Sequence, residues 1–483
     1  MTMRHLCRTL ARLGPGFRNL GFRFDVAAIT AALAFITVAS TGPANAMKIQ
    51  TIKSPGGIEA WLVEEHSVPL MALRYSFEGG NSQDPAGKEG LANFMTAMMD
   101  EGAGDLDSAA YQEKMEELSF RMSFDDTRDA FYGSFETLTT NRADTLAMLK
   151  LAINQPRFDK DAVDRIRAQL QANLAYAARD PEKTAFKEWF ATAFAGHAYG
   201  RPSSGTETSL TAITRDDLEA YRKANFGKNN LKVVAVGDIT AEELGKLLDD
   251  VFGALPEKSQ LQPVDMTAPI KGGKEQLVEM AVPQAVAVFG LGAMPRKDPD
   301  FMAAFLINQI VGGGGFASSL MEEVREKRGL AYSVYSFIQP YHHASIFTGG
   351  VATKAEAMDQ SLDIIKAELK RMADNGPTQD QFDNAKKYLV GSYALRFDTN
   401  AKIASQLLAL FEDGFGPEYV DQRNAQIEAI TMDDAKRVAK RLLANPDLII
   451  TVVGPKPDPA KKAAVAPVVQ KPAAKSAPAE APL

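Results

Sequence analysis

"AITRDDL", residues 212–218, is followed by "LKVVAVGD", residues 231–238; "AITMDDA", residues 429–435, is followed by "LIITVVGP", residues 448–455. The two pairs stand 217 residues apart, Ala212 to Ala429 and Gly237 to Gly454. Each opens with a threonine, Thr214 or Thr431, followed by acids in what reads as the first turn of a helix. Threonine is an N-cap and the acids suit the positive end of the helix dipole. Each closes on an apolar strand that ends in glycine. Two further echoes keep the order: "DKDAVDRIRAQL" from Asp159 and "TQDQFDNAKKYL" from Thr378, and the dipeptides Asp84-Pro85 and Asp298-Pro299. Four matches at a near-constant offset predict two homologous halves.

Both halves run in one coarse order. Alternating strands come first ("IEAWLVEEHSVPLMALRYSFEGG" and "EQLVEMAVPQAVAVFGLGA"), then long helical stretches, then the closing helix and strand. This predicts an α+β fold of two α/β-sandwich domains, with helices packed on mixed or antiparallel sheets. The Pro- and Gly-rich segment 256–273 lacks periodicity and divides the halves. The reading is a first domain over 47–258, a linker over 259–273 and a second domain over 274–454.

The ends read differently. Arg4, Arg8, Arg12, Arg18 and Arg23 precede the apolar run "VAAITAALAFITVAS", which leads to Ala44-Asn45-Ala46. A basic segment, a short apolar run and an Ala-x-Ala ending predict a signal peptide over 1–46, hence a periplasmic or, alternatively, a secreted protein. A membrane anchor or a buried helix is the other reading of the run, which is short for a span. Residues 455–483, rich in Pro, Ala and Lys, read as a disordered tail.

The chain has a formal net charge of −7; the leader carries five Arg and one Asp, so the remainder stands at −11. That balance argues against nucleic acid as a partner and against an anionic membrane surface. The single cysteine, Cys7, leaves with the leader, so no disulfide or thiolate chemistry is expected.

Within "GLANFMTAMMDEG", residues 90–102, Asn93 and Ala97 stand four apart on one helix face with Thr96 beside them. Two histidines and a glutamate there would make half a zinc site. An amide, a hydroxyl and a methyl do not: catalytic zinc needs about three deprotonated protein ligands. Beyond the leader the histidines are His66, His197, His342 and His343, none four residues from another. His342 and His343, read as neighbours on a strand, would point to opposite sides and chelate poorly.

The segment "GGNSQDPAGKEGLANFMTAMMDEGA", residues 79–103, resembles the insulinase-like (pitrilysin, M16) zinc metallopeptidases, in which the stretch reads Gly-Leu-Ala-His-Phe-x-Glu-His. The resemblance extends over nearly all of 47–454, including "GHAYGRPSSGTETSLTAIT" and the duplication, and implies two LuxS/MPP-like domains. In the family the two histidines bind zinc and the glutamate is the general base. The corresponding positions here are Asn93, Ala97 and Thr96, and the family's third ligand falls near Asn173. All four depart from the pattern, so no metal is expected in this chain.

The second half carries "VGGGGFASSLMEEVREKRGLAYSVYS", residues 311–336. Gly312, Gly313, Gly314 and Gly315 lack the spacing of a phosphate loop and read as a flexible run or a place of close backbone approach. Gly329 ends the following helix, which leaves Arg325 in its last turns and Tyr332 at the start of a strand. In the family a glycine-rich loop here is linked to substrate handling. An Arg and a Tyr at this spacing hold the substrate backbone and stabilise the oxyanion beside zinc. Without that resemblance the two are an ordinary exposed Arg and a half-buried Tyr.

The resemblance therefore implies a non-catalytic subunit of a heterodimeric zinc endopeptidase acting on unfolded peptides. Zinc would reside in a partner, an M16 homologue bearing the zinc motif. The alternative is a homodimeric pseudoenzyme that binds peptides or scaffolds an assembly. An active hydrolase with another site finds no Gly-x-Ser-x-Gly motif to support it.

Overall fold

The computed structural model describes residues 47–444 and 448–458; the expectations for the leader 1–46 and for the tail beyond Asp458 fall outside them. The first half holds strands β1 (Gln50–Lys53), β2 (Glu59–Glu64), β3 (Leu70–Glu78), β4 (Arg121–Asp126), β5 (Ala130–Leu138) and β6 (Leu231–Gly237). They form one sheet in the order β1-β2-β6-β3-β5-β4. The second half holds β7 (Lys274–Glu279), β8 (Ala285–Gly292), β9 (Ala331–Pro340), β10 (Ser345–Thr353) and β11 (Ile449–Gly454), in the order β7-β11-β8-β10-β9.

Without β1 the two orders are the same. In both, the closing strand pairs parallel with the first and antiparallel with the second, giving mixed sheets. The registers agree as well: Glu64 lies opposite Gly237 and Glu279 opposite Gly454.

Helices of the first half are α1 (Leu91–Met98), α2 (Ser108–Leu118), α3 (Arg142–Asn154), α4 (Lys160–Ala177), α5 (Pro181–Ala193), α6 (Glu207–Ala212), α7 (Arg215–Asn225) and α8 (Ala241–Phe252). The second half supplies α9 (Phe301–Asn308), α10 (Met358–Asn375), α11 (Gln379–Gly391), α12 (Asn400–Glu412), α13 (Tyr419–Ala429) and α14 (Met432–Leu443). The repeated Thr-x-Asp-Asp is a capping box in both places. Thr214 accepts the Asp217 amide while Asp217 accepts the Thr214 amide, and Thr431 and Asp434 do the same at α14.

The halves are interlocked. Helix α5 packs on β8 and β11 of the second sheet, and its counterpart α12 packs on β3 and β6 of the first. Trp189 of α5 is fully buried there, and Phe411 of α12 stacks on Trp61 of β2 with ring centroids 4.6 Å apart. Each sheet thus has its own helices on one face and a borrowed helix on the other. That explains why β8 and β11, which carry the borrowed helix, are buried almost throughout and read as nearly continuous apolar runs. No described helix is long and apolar enough to cross a membrane.

Candidate functional site

Helix α1 is fixed at its start by Asp84, whose carboxylate accepts the amides of Gly90, Leu91 and Ala92 at 2.8, 3.1 and 2.9 Å. A carboxylate at a helix N-terminus meets both the orphan donors and the dipole. The repeated Asp-Pro does other work in the second half, where Asp298 accepts the Asp300 amide and pairs with Arg441.

On the outward face of α1, Asn93 donates from Nδ2 to Asp126 Oδ1 at 3.2 Å, and Asn81 donates to the other carboxylate oxygen at 2.8 Å. Thr96 donates its hydroxyl to the Asn93 carbonyl at 2.7 Å, and Ala97 packs on the core. Asn173 lies on α4, the helix packed beside α1, with its side chain exposed. Zinc is not suited by this set: one amide is committed to a carboxylate, one hydroxyl to a backbone carbonyl, and a methyl offers nothing. Among the described residues no cluster of three or more His, Cys, Asp or Glu could hold a metal ion.

The face opens on a cleft of about 660 Å³ whose walls come from both halves: Asn93, Asp126 and Tyr132 from the first, His342, Glu412 and Asp413 from the second. A neighbouring cavity of about 340 Å³ shares Asp125, Tyr132 and Glu412 and continues to Ser123 and Arg74. Strand β4 ends its sheet and supplies Ser123, Asp125 and Asp126 to these walls, so an unpaired strand edge borders them. Burial raises the carboxyls of Asp126, Glu412 and Asp413 above their ordinary range. Donors from Asn81 and Asn93 work against that rise at Asp126, as do Ser76 and Tyr132 at Glu412 and Arg296 at Asp413.

Two hairpin tips hold the cleft in shape. Asp129, in the β4–β5 turn, accepts the Tyr199 hydroxyl and, at 2.9 Å, the His342 amide; the His343 amide donates to the Tyr199 hydroxyl at 3.0 Å. His342 and His343 therefore sit in the β9–β10 connection rather than on a strand, and their backbone amides do the work. The expectation of opposed strand side chains is corrected accordingly: strand pairing stops at Pro340 and resumes at Ser345. Arg128 braces the same joint, 3.7 Å over the Phe190 ring and donating to the Tyr199 carbonyl.

The glycine run is structured. Gln309–Gly313 form a π-helical turn and Gly315–Ala317 a 3₁₀ turn. Gly312 is buried against β9, where a Cβ would stand 2.4 Å from the Ser336 amide nitrogen. Close approach is thus the role at Gly312, whereas Gly313 and Gly315 are exposed. Gly329, at φ +63°, closes the turn after Arg325, and Tyr332 is the second residue of β9. The Arg325 guanidinium carbon lies 5.0 Å from the centroid of the Tyr332 ring, and that side chain is 77% exposed.

The structure brings Asn93 and Thr96 together, and Arg325 and Tyr332 together, but separates the two sets. Tyr332 begins β9, whose far end, Gln339 and Pro340, lines the cleft. Eight residues of strand span about 26 Å. Asp126, Asp129, Tyr199 and Glu412 were not singled out from sequence. The acid-rich turn "DDTRD", residues 125–129, was the available signal, but nothing local ties it to a hairpin more than 200 residues on.

Residues 62–207 match the insulinase (peptidase family M16) domain, and residues 212–389 match the peptidase M16 inactive domain. A non-peptidase homolog, YmxG of Helicobacter pylori, is 27% identical over 397 residues, covering 81% of this chain and 91% of its own. A mitochondrial-processing peptidase subunit beta of Blastocladiella emersonii is 22% identical over 424 residues, covering 85% and 90%. The crystal structure of a peptidase M16 inactive domain from Pseudomonas fluorescens superposes with a TM-score of 0.80 at 29% identity, covering 84% of this chain and 98% of that one. The chain belongs to the insulinase (M16) peptidase family, as a member with no histidine or carboxylate at the ligand positions of its helix α1.

Proposed function

We propose that this chain is an exported, non-catalytic subunit of a heterodimeric zinc endopeptidase that cleaves unfolded peptides in the periplasm. Zinc, its water and the general base reside in the partner, an M16 homologue that carries the zinc motif. This chain contributes Arg325 and Tyr332. A guanidinium and a phenol are donors suited to a peptide carbonyl oxygen on which negative charge develops.

The observation that carries the reading is the separation of the pair from the chain's own cleft. Arg325 and Tyr332 sit at the opposite end of β9, and the Arg325 guanidinium forms no ion pair or hydrogen bond among the described residues. A donor pair left open and remote from its own cleft is what a site shared with another chain requires. Relatives named as subunits of a processing peptidase lend support, since by that name they work as parts of larger enzymes. The leader over 1–46 supports export.

A second reading rests on β4. An unpaired strand edge along a cleft suits an extended peptide held by main-chain hydrogen bonds, with or without cleavage. Peptidase assays on the purified chain, alone and mixed with the zinc-motif homologue, separate the two. Activity in the mixture alone supports the shared site, and Arg325→Ala and Tyr332→Phe then lower kcat while the complex still assembles. Peptide binding with no activity in either sample favours the second reading.

A further inference from the structure

Phe316 follows the glycine run and is 67% exposed, yet it is not an isolated surface ring. The Arg325 guanidinium carbon lies 4.7 Å from its centroid, as close as to Tyr332. The turn that presents it is closed from within: the Ser318 hydroxyl donates to the Gly315 carbonyl at 2.7 Å, the Ser318 amide to the same carbonyl at 3.0 Å, and the Ala317 amide to Gly314 at 3.2 Å. Gly315 takes the left-handed conformation, φ +57°, that sets the direction of the next residue. Two acids of the preceding turn are drawn elsewhere: Glu322 pairs with Lys327, and Glu323 with Lys327 and Arg328. Ring faces attract a guanidinium without consuming its in-plane N–H donors.

We propose that Phe316 is a positioning residue for Arg325: held out by the Gly315 turn, its ring fixes the guanidinium against Tyr332 while leaving the donors free. This rests on the shared-site reading for its consequence in turnover, but not for its geometry.

The experiment uses the full chain with Phe316→Ala, Phe316→Tyr, Arg325→Ala and the Phe316→Ala/Arg325→Ala double variant. Each is mixed with the zinc-motif homologue and an unfolded fluorogenic peptide. Phe316→Ala is expected to lower kcat about threefold with KM little changed, the size of an exposed cation–π contact. Phe316→Tyr restores it, and the double variant is no slower than Arg325→Ala alone, because the ring acts through the arginine. Additive losses, or an unchanged kcat in Phe316→Ala beside a lowered one in Arg325→Ala, overturn the proposal. The clamp is also read without the partner, from the Nε–H resonance of Arg325 in the ¹⁵N-arginine-labelled chain, assigned by its loss in Arg325→Lys. It should move in Phe316→Ala and hold in Phe316→Tyr; an unmoved resonance overturns the clamp. Wild-type turnover in Arg325→Ala with a moved resonance instead overturns the shared-site role and leaves the clamp standing.

Discussion

The indole N–H of Trp189 donates to the backbone carbonyl of Ile449 at 2.9 Å, joining a helix of the first half to strand β11 of the second half's sheet. Those residues are 260 apart in the chain. The carbonyl is fully buried with its strand, so the bond has no water to replace it. Trp189→Phe keeps most of the packing and is expected to lower stability by about 1–3 kcal/mol, the penalty for an unmet buried acceptor. Trp189→Ala adds a cavity and is expected to lower it by about 3–5 kcal/mol. In urea both variants should still unfold in one transition by fluorescence and circular dichroism. Two separated transitions would show that the halves are not one cooperative unit.

The duplication was legible because its signals are local. A capping box and an apolar strand ending in glycine each occupy a few residues, and the repeat of Thr214 at Thr431 needs no tertiary knowledge. The empty helix face was legible for the same reason, since Asn93, Thr96 and Ala97 declare their chemistry by residue type. The exchange of α5 and α12 was not, because an amphipathic helix does not state which sheet it covers. Nor was the Asp129–His342 joint, whose partners are 213 residues apart and meet through a backbone amide that any residue would supply.

Gly312 and Gly315 should resist alanine for different reasons, and to different degrees. At Gly312 a Cβ would meet the Ser336 amide nitrogen and hydroxyl at 2.4 Å, part of which is strand backbone that cannot give way cheaply. Gly312→Ala is expected to cost about 1–3 kcal/mol, as overpacking does. At Gly315 nothing lies within 4 Å, and only the left-handed backbone opposes a side chain. Gly315→Ala should cost about 1–2 kcal/mol, and Gly315→Asn less, since Asn tolerates that region. Denaturation midpoints of the three variants check this; a Gly312→Ala variant as stable as the parent chain would deny the packed role of Gly312.

Restoring the missing side chains should not restore a metal. In Asn93→His/Thr96→Glu/Ala97→His the two imidazoles stand four apart, but Asn173 offers no carboxylate as a third ligand. Asp126 meanwhile loses one of its two amide donors while remaining largely buried, which leaves its charge less well met. The triple variant is expected to bind no stoichiometric zinc after dialysis, and to melt below the parent chain. Metal analysis decides it, and one tightly held zinc per chain would mean that α1 keeps an organised surround for an ion.

Acid should weaken the second half through Asp300. Its carboxylate takes Arg437 Nη2 at 2.7 Å and Arg441 Nη1 at 2.6 Å, clamping α14 to the start of α9. The Arg437 hydrogen bond first, and Arg441 with it, hold the Asp300 pKa at about 2, below its ordinary 3.8. A carboxyl depressed in the folded chain contributes stability that is whole above the unfolded value, near 4, and is lost as pH falls towards about 2. Burial moves Asp126, Glu412 and Asp413 the other way, so their protonation favours the folded chain as pH falls towards their ordinary values of 3.8 to 4.5, before Asp300 titrates. The comparison that isolates Asp300 is therefore the difference between the parent chain and Asp300→Asn, which keeps the shape and removes the charge. At neutral pH the variant should be the less stable of the two, and the gap should close as pH falls from about 4 to about 2. Urea midpoints across that window measure it. A gap that stays constant would mean that the two arginines recognise the shape of residue 300 and not its charge.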